Sequence, residues 1–243
     1  MLNKLITLIF LITSFSAFAD KLVDAEIILP RSYAAPGQVR QIIIKVNVKK
    51  GWHTYWKNPG ESGIAPDFTW HGDNYEIKNI HWPSPKYYEN TGIVNYVYDG
   101  EILFIANLVI KPGTKDGQIT IKADADFLVC KGNCVMQNLK LTSIITVDSK
   151  NRIETMQIHP LLSQAMDQLP RYPSKPALKQ RGKKFSLTLP KKLNNKPAFF
   201  AFREDGVVSK KSSLKEGELT FESNEETELK GLLIFEDQSL IID

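Results

Sequence analysis

The chain has 243 residues, of which 42% are hydrophobic and 24% charged, and its formal net charge is +4. This composition is ordinary for a globular protein with one or two hydrophobic cores. The lysines cluster only in pairs, which argues against nucleic-acid or membrane-surface binding. A Gly-rich phosphate loop, a G-x-S-x-G elbow and an H-E-x-x-H motif are all absent from the sequence.

Residues 1–19 have the pattern of a secretory signal peptide. Lys4 supplies a positive charge, residues 5–18 are mostly apolar, and Ala17-Phe18-Ala19 is an A-x-A cleavage signature. An uncleaved anchor is the alternative, but the apolar stretch is shorter than the roughly 20 residues of a spanning helix and ends in small residues. We therefore expect cleavage before Asp20, a mature chain without a membrane span, and a location in the periplasm, where disulfides persist.

Residues 20–149 are predicted to form an all-β domain. Five segments alternate apolar and polar residues or are rich in β-branched residues: 25–29, 41–48, 101–110, 118–125 and 139–147. Turn-forming pairs such as Asp99-Gly100 and Pro112-Gly113 separate the segments. Short strands at this spacing favour an antiparallel β-sandwich of the immunoglobulin type.

Residues 154–243 are predicted to form a helix, a linker and a second, smaller β-domain. The helix begins at Pro160, because proline suits the first helical position and apolar residues then recur at helical spacing as far as Leu169. Pro170, Pro173 and Pro176 make a stiff linker. Five strands follow, at 185–189, 198–202, 218–221, 231–235 and 240–242. This region has no cysteine, and we expect a structural or docking role for it.

The only two cysteines, Cys130 and Cys134, are separated by Lys131-Gly132-Asn133. Glycine and asparagine tolerate positive φ, so a tight turn or hairpin tip can bring the two Cα atoms within disulfide range. Closing so short a loop stabilises the fold by only about 2 kcal/mol. A short, accessible disulfide is the labile kind, and Lys131 beside Cys130 favours a thiolate. The residues leave redox activity and a structural disulfide equally open.

Metal and cofactor sites are not predicted. Two thiolates can hold copper(I) or half a zinc site, but the sequence has no further cysteine or histidine within ten residues to complete one. His53, His71 and His81 lack ligand spacing and are expected on the surface or packed against strands. The four tryptophans are expected to anchor the core or loops rather than a sugar-binding face: Trp52, Trp56, Trp70 and Trp82.

Four motifs resemble the N-terminal periplasmic region of DsbD-like and ScsB-like disulfide reductases. They are G-W-H-T-Y-W-K-N-P-G-E-S-G at residues 51–63, W-P-S-P at 82–85, G-I-V-N-Y-V-Y at 92–98 and L-V-C-K-G-N-C at 128–134. Their order and approximate spacing match as well. Residues 198–202 and 229–233 are similar, more loosely, to the following part of ScsB-like proteins.

This resemblance implies a thiol–disulfide oxidoreductase with an immunoglobulin-like domain and a reversible Cys130–Cys134 disulfide. The family takes electrons from a thioredoxin-like module and passes them to periplasmic substrate proteins. It also implies a cap loop at residues 86–95, in which Tyr87 and Tyr88 shield the cysteines. The resemblance favours Cys134 as the attacking thiol and Cys130 as the resolving one.

The sequence departs from the family in two places. Full-length members continue into a membrane domain and a thioredoxin-like domain, neither of which is present here, so we expect a thioredoxin-like reductant supplied in trans. The acidic, proline-rich tail that follows the second cysteine is replaced by Val135-Met136-Gln137-Asn138, so substrate choice is expected to differ. Two rival functions remain, namely a binding or adaptor module with a structural disulfide and a copper(I)-handling protein.

Overall fold

A computed structural model describes residues 21–150, 159–170, 178–188, 198–201, 212–215, 218–222, 231–234 and 239–242. The predicted signal peptide and most of the predicted linker lie outside these residues. The described residues form one helix, α1 (Pro160–Gln168), and these strands: β1 (Val23–Ile28), β2 (Tyr33–Ala34), β3 (Val39–Val48), β4 (Thr54–Gly60), β5 (Asp67–His71), β6 (Tyr75–His81), β7 (Lys86–Asn90), β8 (Ile93–Tyr98), β9 (Glu101–Ile110), β10 (Gly117–Lys131), β11 (Asn133–Val147), β12 (Leu178–Arg181), β13 (Lys184–Thr188), β14 (Ala198–Ala201), β15 (Ser212–Lys215), β16 (Glu218–Glu222), β17 (Gly231–Ile234) and β18 (Ser239–Ile242).

Two four-stranded sheets face each other and enclose the main core. Their strand orders are β1-β3-β9-β6 and β2-β11-β10-β5, and all pairs are antiparallel except β2 with β11. Alternate residues of each strand point inward, and β10 contributes Ile121, Ala123, Ala125, Phe127 and Val129. The predicted all-β, immunoglobulin-like sandwich is confirmed.

The sheet β1-β3-β9-β6 is buried on both faces in its centre. Ile42, Ile43 and Ile44 are consecutive on β3 and fully buried. The reason is that α1 packs against the outer face, where Ala165 meets Ile43 and two residues of β9, Leu103 and Ile105. The helix begins as predicted, with Pro160 in its first turn and the His159 side chain accepting a hydrogen bond from the Leu161 amide.

A smaller sheet, β4-β8-β7, lies beside the end of the long β10–β11 hairpin. An antiparallel bridge between His53 and Cys130 connects the residue before β4 to β10. The predicted cap segment, residues 86–95, forms the β7–β8 hairpin rather than a loop. Its turn is made by Thr91 and Gly92, both with positive φ. This sheet carries the residues that surround the cysteines.

Strands β12 to β18 make two further antiparallel sheets, β12-β13-β16-β15 and β14-β17-β18. Each of the five strands predicted here has a counterpart whose ends differ by at most one residue, and β12 and β15 are additional. The predicted boundaries of the two domains, 20–149 and 154–243, stay a prediction.

The docking of α1 can be tested at two neighbouring helix positions. Ala165 is fully buried against the sheet, whereas Met166 is exposed. Replacing Ala165 by aspartate buries an unpaired charge, so Ala165→Asp should lower the free energy of unfolding by about 3 kcal/mol. Met166→Asp changes the same turn of the helix on its solvent side and should cost much less. Urea unfolding of both variants measures the difference; equal losses would contradict this packing.

Candidate functional site

The two cysteines lie at the tip of the β10–β11 hairpin. Fifteen residues of each strand pair in register as far as Cys130 opposite Cys134 and Lys131 opposite Asn133. Gly132 alone forms the tip, with a left-handed φ of 79°. The sulfurs are bonded, and the Cα atoms are 4.1 Å apart. The predicted tight hairpin at the cysteine pair is therefore confirmed.

The two sulfurs have different surroundings. Cys130 is 3% exposed and packs with Tyr55, Val97 and Leu128. Cys134 lies on β11, the second strand of the hairpin, and is exposed. Cys134 is therefore open to solvent, while Cys130 is held inside the protein.

The buried sulfur has a hydroxyl partner that the sequence motifs did not reveal. The Tyr55 hydroxyl donates a hydrogen bond to Cys130 Sγ at 3.2 Å. Burial of Tyr55, together with the nearby Tyr88, raises the pKa of the Tyr55 hydroxyl, so it stays protonated and able to donate at neutral pH. Tyr55 lies in the motif at residues 51–63, but nothing in the sequence gave it a role.

His53 is joined to the same cysteine through its backbone. The His53 amide donates to the Cys130 carbonyl at 3.0 Å, and the Cys130 amide donates back at 2.9 Å. The His53 ring lies 5.5 Å from the Tyr55 ring in an edge-to-face arrangement. Burial lowers the pKa of His53, partly opposed by Asp99, which favours a neutral imidazole beside the disulfide at neutral pH.

The two predicted cap tyrosines point in different directions, because successive side chains of a strand lie on opposite faces. The Tyr88 ring lies 4.8 Å from the His53 ring, next to Tyr55. The Tyr87 hydroxyl instead donates to Glu89 at 2.8 Å, and burial together with this hydrogen bond raises the pKa of Tyr87 to about 12. The structure thus places Tyr88 near the cysteine pair, while the contacts of Tyr87 are with Glu89.

Lys131, predicted to favour a thiolate, follows Cys130 and points to the other face of the hairpin. Its ammonium nitrogen would lie 3.3 Å from a Cβ placed on Gly51. Its effect on the Cys130 thiol stays a prediction.

A turn-rich segment supports Tyr55 from the outside. The Asn95 side-chain amide, which is buried, donates to the Pro59 carbonyl and to Ser62, and fixes this segment against β8. Gly63 then lies directly over Tyr55: a Cβ at Gly63 would be only 2.2 Å from the Tyr55 ring. The segment therefore packs tightly against the Tyr55 ring.

The fold and site together define an immunoglobulin-like β-sandwich with an asymmetric disulfide at one end of a hairpin. The sequence matches the family described as "Thiol:disulfide interchange protein DsbD, N-terminal" over residues 20–145, more than half of the chain. The chain belongs to this family, and at the level of the family its disulfide is associated with thiol:disulfide interchange.

Among solved structures, the chain is similar to the N-terminal periplasmic domain of ScsB from Proteus mirabilis. The identity is 19%, the TM-score is 0.63, and the match covers 90% of this chain and 89% of that one. This likeness supports the fold. The Bacillus cereus pilin subunit BcpA (15% identity, TM-score 0.26, 51% of this chain and 39% of that one) and the Escherichia coli chaperone DraB (8%, 0.27, 90% and 96%) are too dissimilar to carry an argument. The curated proteins contain no match.

Across the described residues, α1 included, no helix has the length and apolar character needed to cross a membrane.

The contact between Tyr55 and Cys130 predicts a change in thiol acidity. A hydroxyl donated to a thiolate is a charge-assisted hydrogen bond, so Tyr55→Phe should raise the pKa of the reduced Cys130 thiol by about one unit. The measurement is the ultraviolet absorbance of the thiolate against pH in a Cys134→Ser background, where Cys130 alone titrates. An unchanged pKa would show that the hydroxyl does not stabilise the thiolate.

Two glycines provide a matched control for the same measurement. Gly63 and Gly92 have similar left-handed φ angles of 94° and 83°, so alanine strains the backbone in both. Only an alanine methyl group at Gly63 would press on the Tyr55 ring, because nothing lies within 4 Å of a Cβ at Gly92. Gly63→Ala should therefore shift the Cys130 pKa in the direction of Tyr55→Phe, while Gly92→Ala should not.

Proposed function

We propose that this chain is a periplasmic thiol–disulfide oxidoreductase that relays electrons through Cys130 and Cys134. A thioredoxin-like protein supplies the electrons, and disulfide-containing proteins receive them. The observation that carries the proposal is the asymmetry of the disulfide: Cys134 is exposed, whereas Cys130 is buried and its sulfur accepts a hydrogen bond from Tyr55. The periplasmic location is supported by the A-x-A signature at residues 17–19.

Reduction of the protein begins at the exposed sulfur. The thiolate of the reductant attacks Cys134 Sγ, the bond to Cys130 breaks, and Cys130 leaves as a thiolate. Since a better-stabilised leaving thiolate departs faster, the hydroxyl of Tyr55 assists this step. The second thiolate of the reductant then attacks the reductant sulfur that is bonded to Cys134. The reductant forms its own disulfide, and Cys134 is released. Two electrons pass to the pair, and the reductant becomes a disulfide.

Electron transfer to a substrate follows the same path in reverse. The Cys134 thiolate attacks one sulfur of the substrate disulfide and forms a mixed disulfide, while the other substrate sulfur leaves as a thiolate and takes up a proton. Cys130 then attacks Cys134 Sγ, the substrate leaves with both cysteines reduced, and the internal disulfide forms again. The position of Cys130 directly opposite Cys134 on the hairpin supports this resolving role.

Tyr88 serves as the shield of this site. Its ring packs on His53, whose backbone is bonded to Cys130, and its side chain lies next to Tyr55. An aromatic ring in this position limits access to the sulfurs, and access is one of the factors that set the rate of thiol–disulfide exchange.

The redox function is tested by the reduction potential. Equilibration with glutathione buffers, followed by alkylation and mass spectrometry, should give a potential above the roughly −300 mV typical of inert structural disulfides. A potential below that value would contradict the relay and favour a structural disulfide.

Single-cysteine variants test the assigned roles. With oxidised glutathione, Cys130→Ser should form a mixed disulfide at the exposed Cys134 and keep it, because the resolving thiol is missing. Cys134→Ser leaves only the buried Cys130 and should react at least about tenfold more slowly, since burial limits the access of glutathione to its sulfur. Equal rates, measured by mass spectrometry over time, would remove the distinction between attacking and resolving cysteines.

The shield is tested with neighbouring tyrosines as test and control. Tyr88→Ala should speed reduction of the disulfide by dithiothreitol several-fold, about threefold or more, because it uncovers the site without changing the redox couple. Tyr87→Ala, on the opposite face of β7, should change the rate much less. Stopped-flow kinetics give both rates. If Tyr87→Ala has the larger effect, or neither changes the rate, then Tyr88 does not act as the shield.

A further inference from the structure

A cleft of about 450 Å³ opens beside the aromatic side chains that flank the disulfide. The end of β3, the turn after it, β7, the β8–β9 turn and the hairpin tip all contribute to its walls. The side chains that give the cleft its chemical character are Lys50, Trp52, His53, Tyr88, Asp99 and Lys131. None of the steps described above uses this space.

Three glycines line the cleft. Gly51, Gly100 and Gly132 all line it, and their φ angles of 82°, 68° and 79° are left-handed. Each lies in a tight turn where the chain reverses direction, so the cleft is bounded there by backbone alone. At Gly51 a Cβ would meet the Lys131 ammonium at 3.3 Å, so this charge lies beside the backbone of the turn at Gly51.

The charge of the cleft is positive. Lys50 and Lys131 are exposed, and in the part of the chain that the structure describes neither forms an ion pair. Asp99 is the one carboxylate among the described lining residues, and its charge is offset by an ion pair with Lys86. Two lysines without an ion-pair partner among the described residues therefore line the cleft.

The cleft is connected to the reacting sulfurs through short contacts. Lys131 and Gly132 lie between the two cysteines in the chain. His53 is hydrogen-bonded to Cys130 through the backbone and contacts Tyr88 through its ring. A molecule bonded to Cys134 is thus close to the positively charged cleft, whose lining includes Gly132 and Lys131, two and three residues before Cys134.

We propose that the cleft binds a carboxylate that the redox partner carries close to its reacting sulfur. The inference rests on the proposed function and adds a preference for anionic thiols and disulfides. The thiolate of such a partner attacks Cys134 Sγ and displaces Cys130, while its carboxylate lies between Lys50 and Lys131. A second partner thiolate then attacks the mixed disulfide, so two thiols are oxidised to one disulfide and the protein disulfide is reduced to two thiols.

Three small thiols of different charge test the preference. The rates of disulfide reduction by 3-mercaptopropionate, 2-mercaptoethanol and cysteamine are measured at one ionic strength and divided by the thiolate fraction of each. The anionic thiol should be favoured, and Lys50→Gln and Lys131→Gln should each lower the ratio of anionic to neutral rates about two- to fivefold. Because a change in the pKa of Cys130 slows all three thiols alike, the ratio isolates the cleft.

Lys115→Gln is the matched control. Lys115 is exposed and precedes β10, at the opposite end of that strand from the hairpin tip, so its replacement makes the same change in net charge far from the cleft. The ratio should stay at its wild-type value. The preference of the wild type should also weaken as salt is raised, since charges facing solvent are screened.

Short peptides distinguish the two sources of such a carboxylate. A cysteine flanked by glutamates represents an acidic segment of a protein partner, and glutathione represents a small anionic thiol; a cysteine flanked by glutamines is the neutral reference. The lysine-dependent preference is the rate relative to the glutamine peptide. If it is larger for the glutamate peptide, the carboxylate comes from a protein segment; if it is larger for glutathione, the carboxylate comes from a small thiol. Either result supports the proposed carboxylate site.

Two negative results have different meanings. If the double variant Lys50→Gln, Lys131→Gln keeps the wild-type ratios, the cleft does not bind carboxylates, and the electron relay is unaffected. If none of the thiols reduces the wild-type disulfide, the proposed function fails, and the preference fails with it.

Discussion

The register of the β10–β11 hairpin is the constraint on which the site depends. Side chains of a strand alternate between its faces, so a slip of one residue would separate the two cysteines. The register is fixed on the core face by Ile121, Ala123, Ala125, Phe127 and Val129, which are all buried in the sandwich. Cys130 follows Val129 and consequently points to the other face. The hydrophobic core thus determines, from the opposite side of the strand, where the sulfurs lie.

The difference between the two sulfurs arises from a second layer of structure. The sheet β4-β8-β7 packs against the end of β10. Tyr55 and Val97 therefore enclose Cys130, while Cys134 on β11 remains exposed. The bridge between His53 and Cys130 fixes the start of β4 against β10. The same bridge holds Tyr55, two residues further along the chain, where its hydroxyl donates to Cys130 Sγ.

The sequence revealed those parts of this arrangement that depend on local patterns. Strand alternation predicted β9 at its observed ends, and Gly132 with Asn133 predicted the hairpin tip. It did not show that β10 continues beyond Ala125, because Phe127 to Cys130 is an unbroken apolar run whose two faces are buried by different sheets. The contact between Tyr55 and Cys130 spans 75 positions in the chain and leaves no local pattern.

The placement of α1 shows the same limit. The sequence predicts the helical period of α1 and its first residue, but not the sheet face against which the helix packs. The apolar run of β9 carries the complementary information. A strand of a two-layer sandwich is apolar on both faces only when another element covers the face that points away from the core. The helix buries Leu103 and Ile105 on that face, while Phe104 and Ala106 face the core. Either pattern alone is compatible with other folds, and only their combination places the helix.

The disulfide itself contributes little to this framework. It closes a loop of about five residues, which in the chain-entropy model is worth about 2 kcal/mol. The β10–β11 hairpin that carries the cysteines is stabilised by core residues on its other face and by the long pairing of its two strands. Neither involves the sulfurs. Breaking the S–S bond therefore removes one covalent link from a hairpin that remains paired. Among the side chains described around the sulfurs, the Tyr55 hydroxyl is the one hydrogen-bonded to Cys130 Sγ, so it is the group that a change at this sulfur meets first.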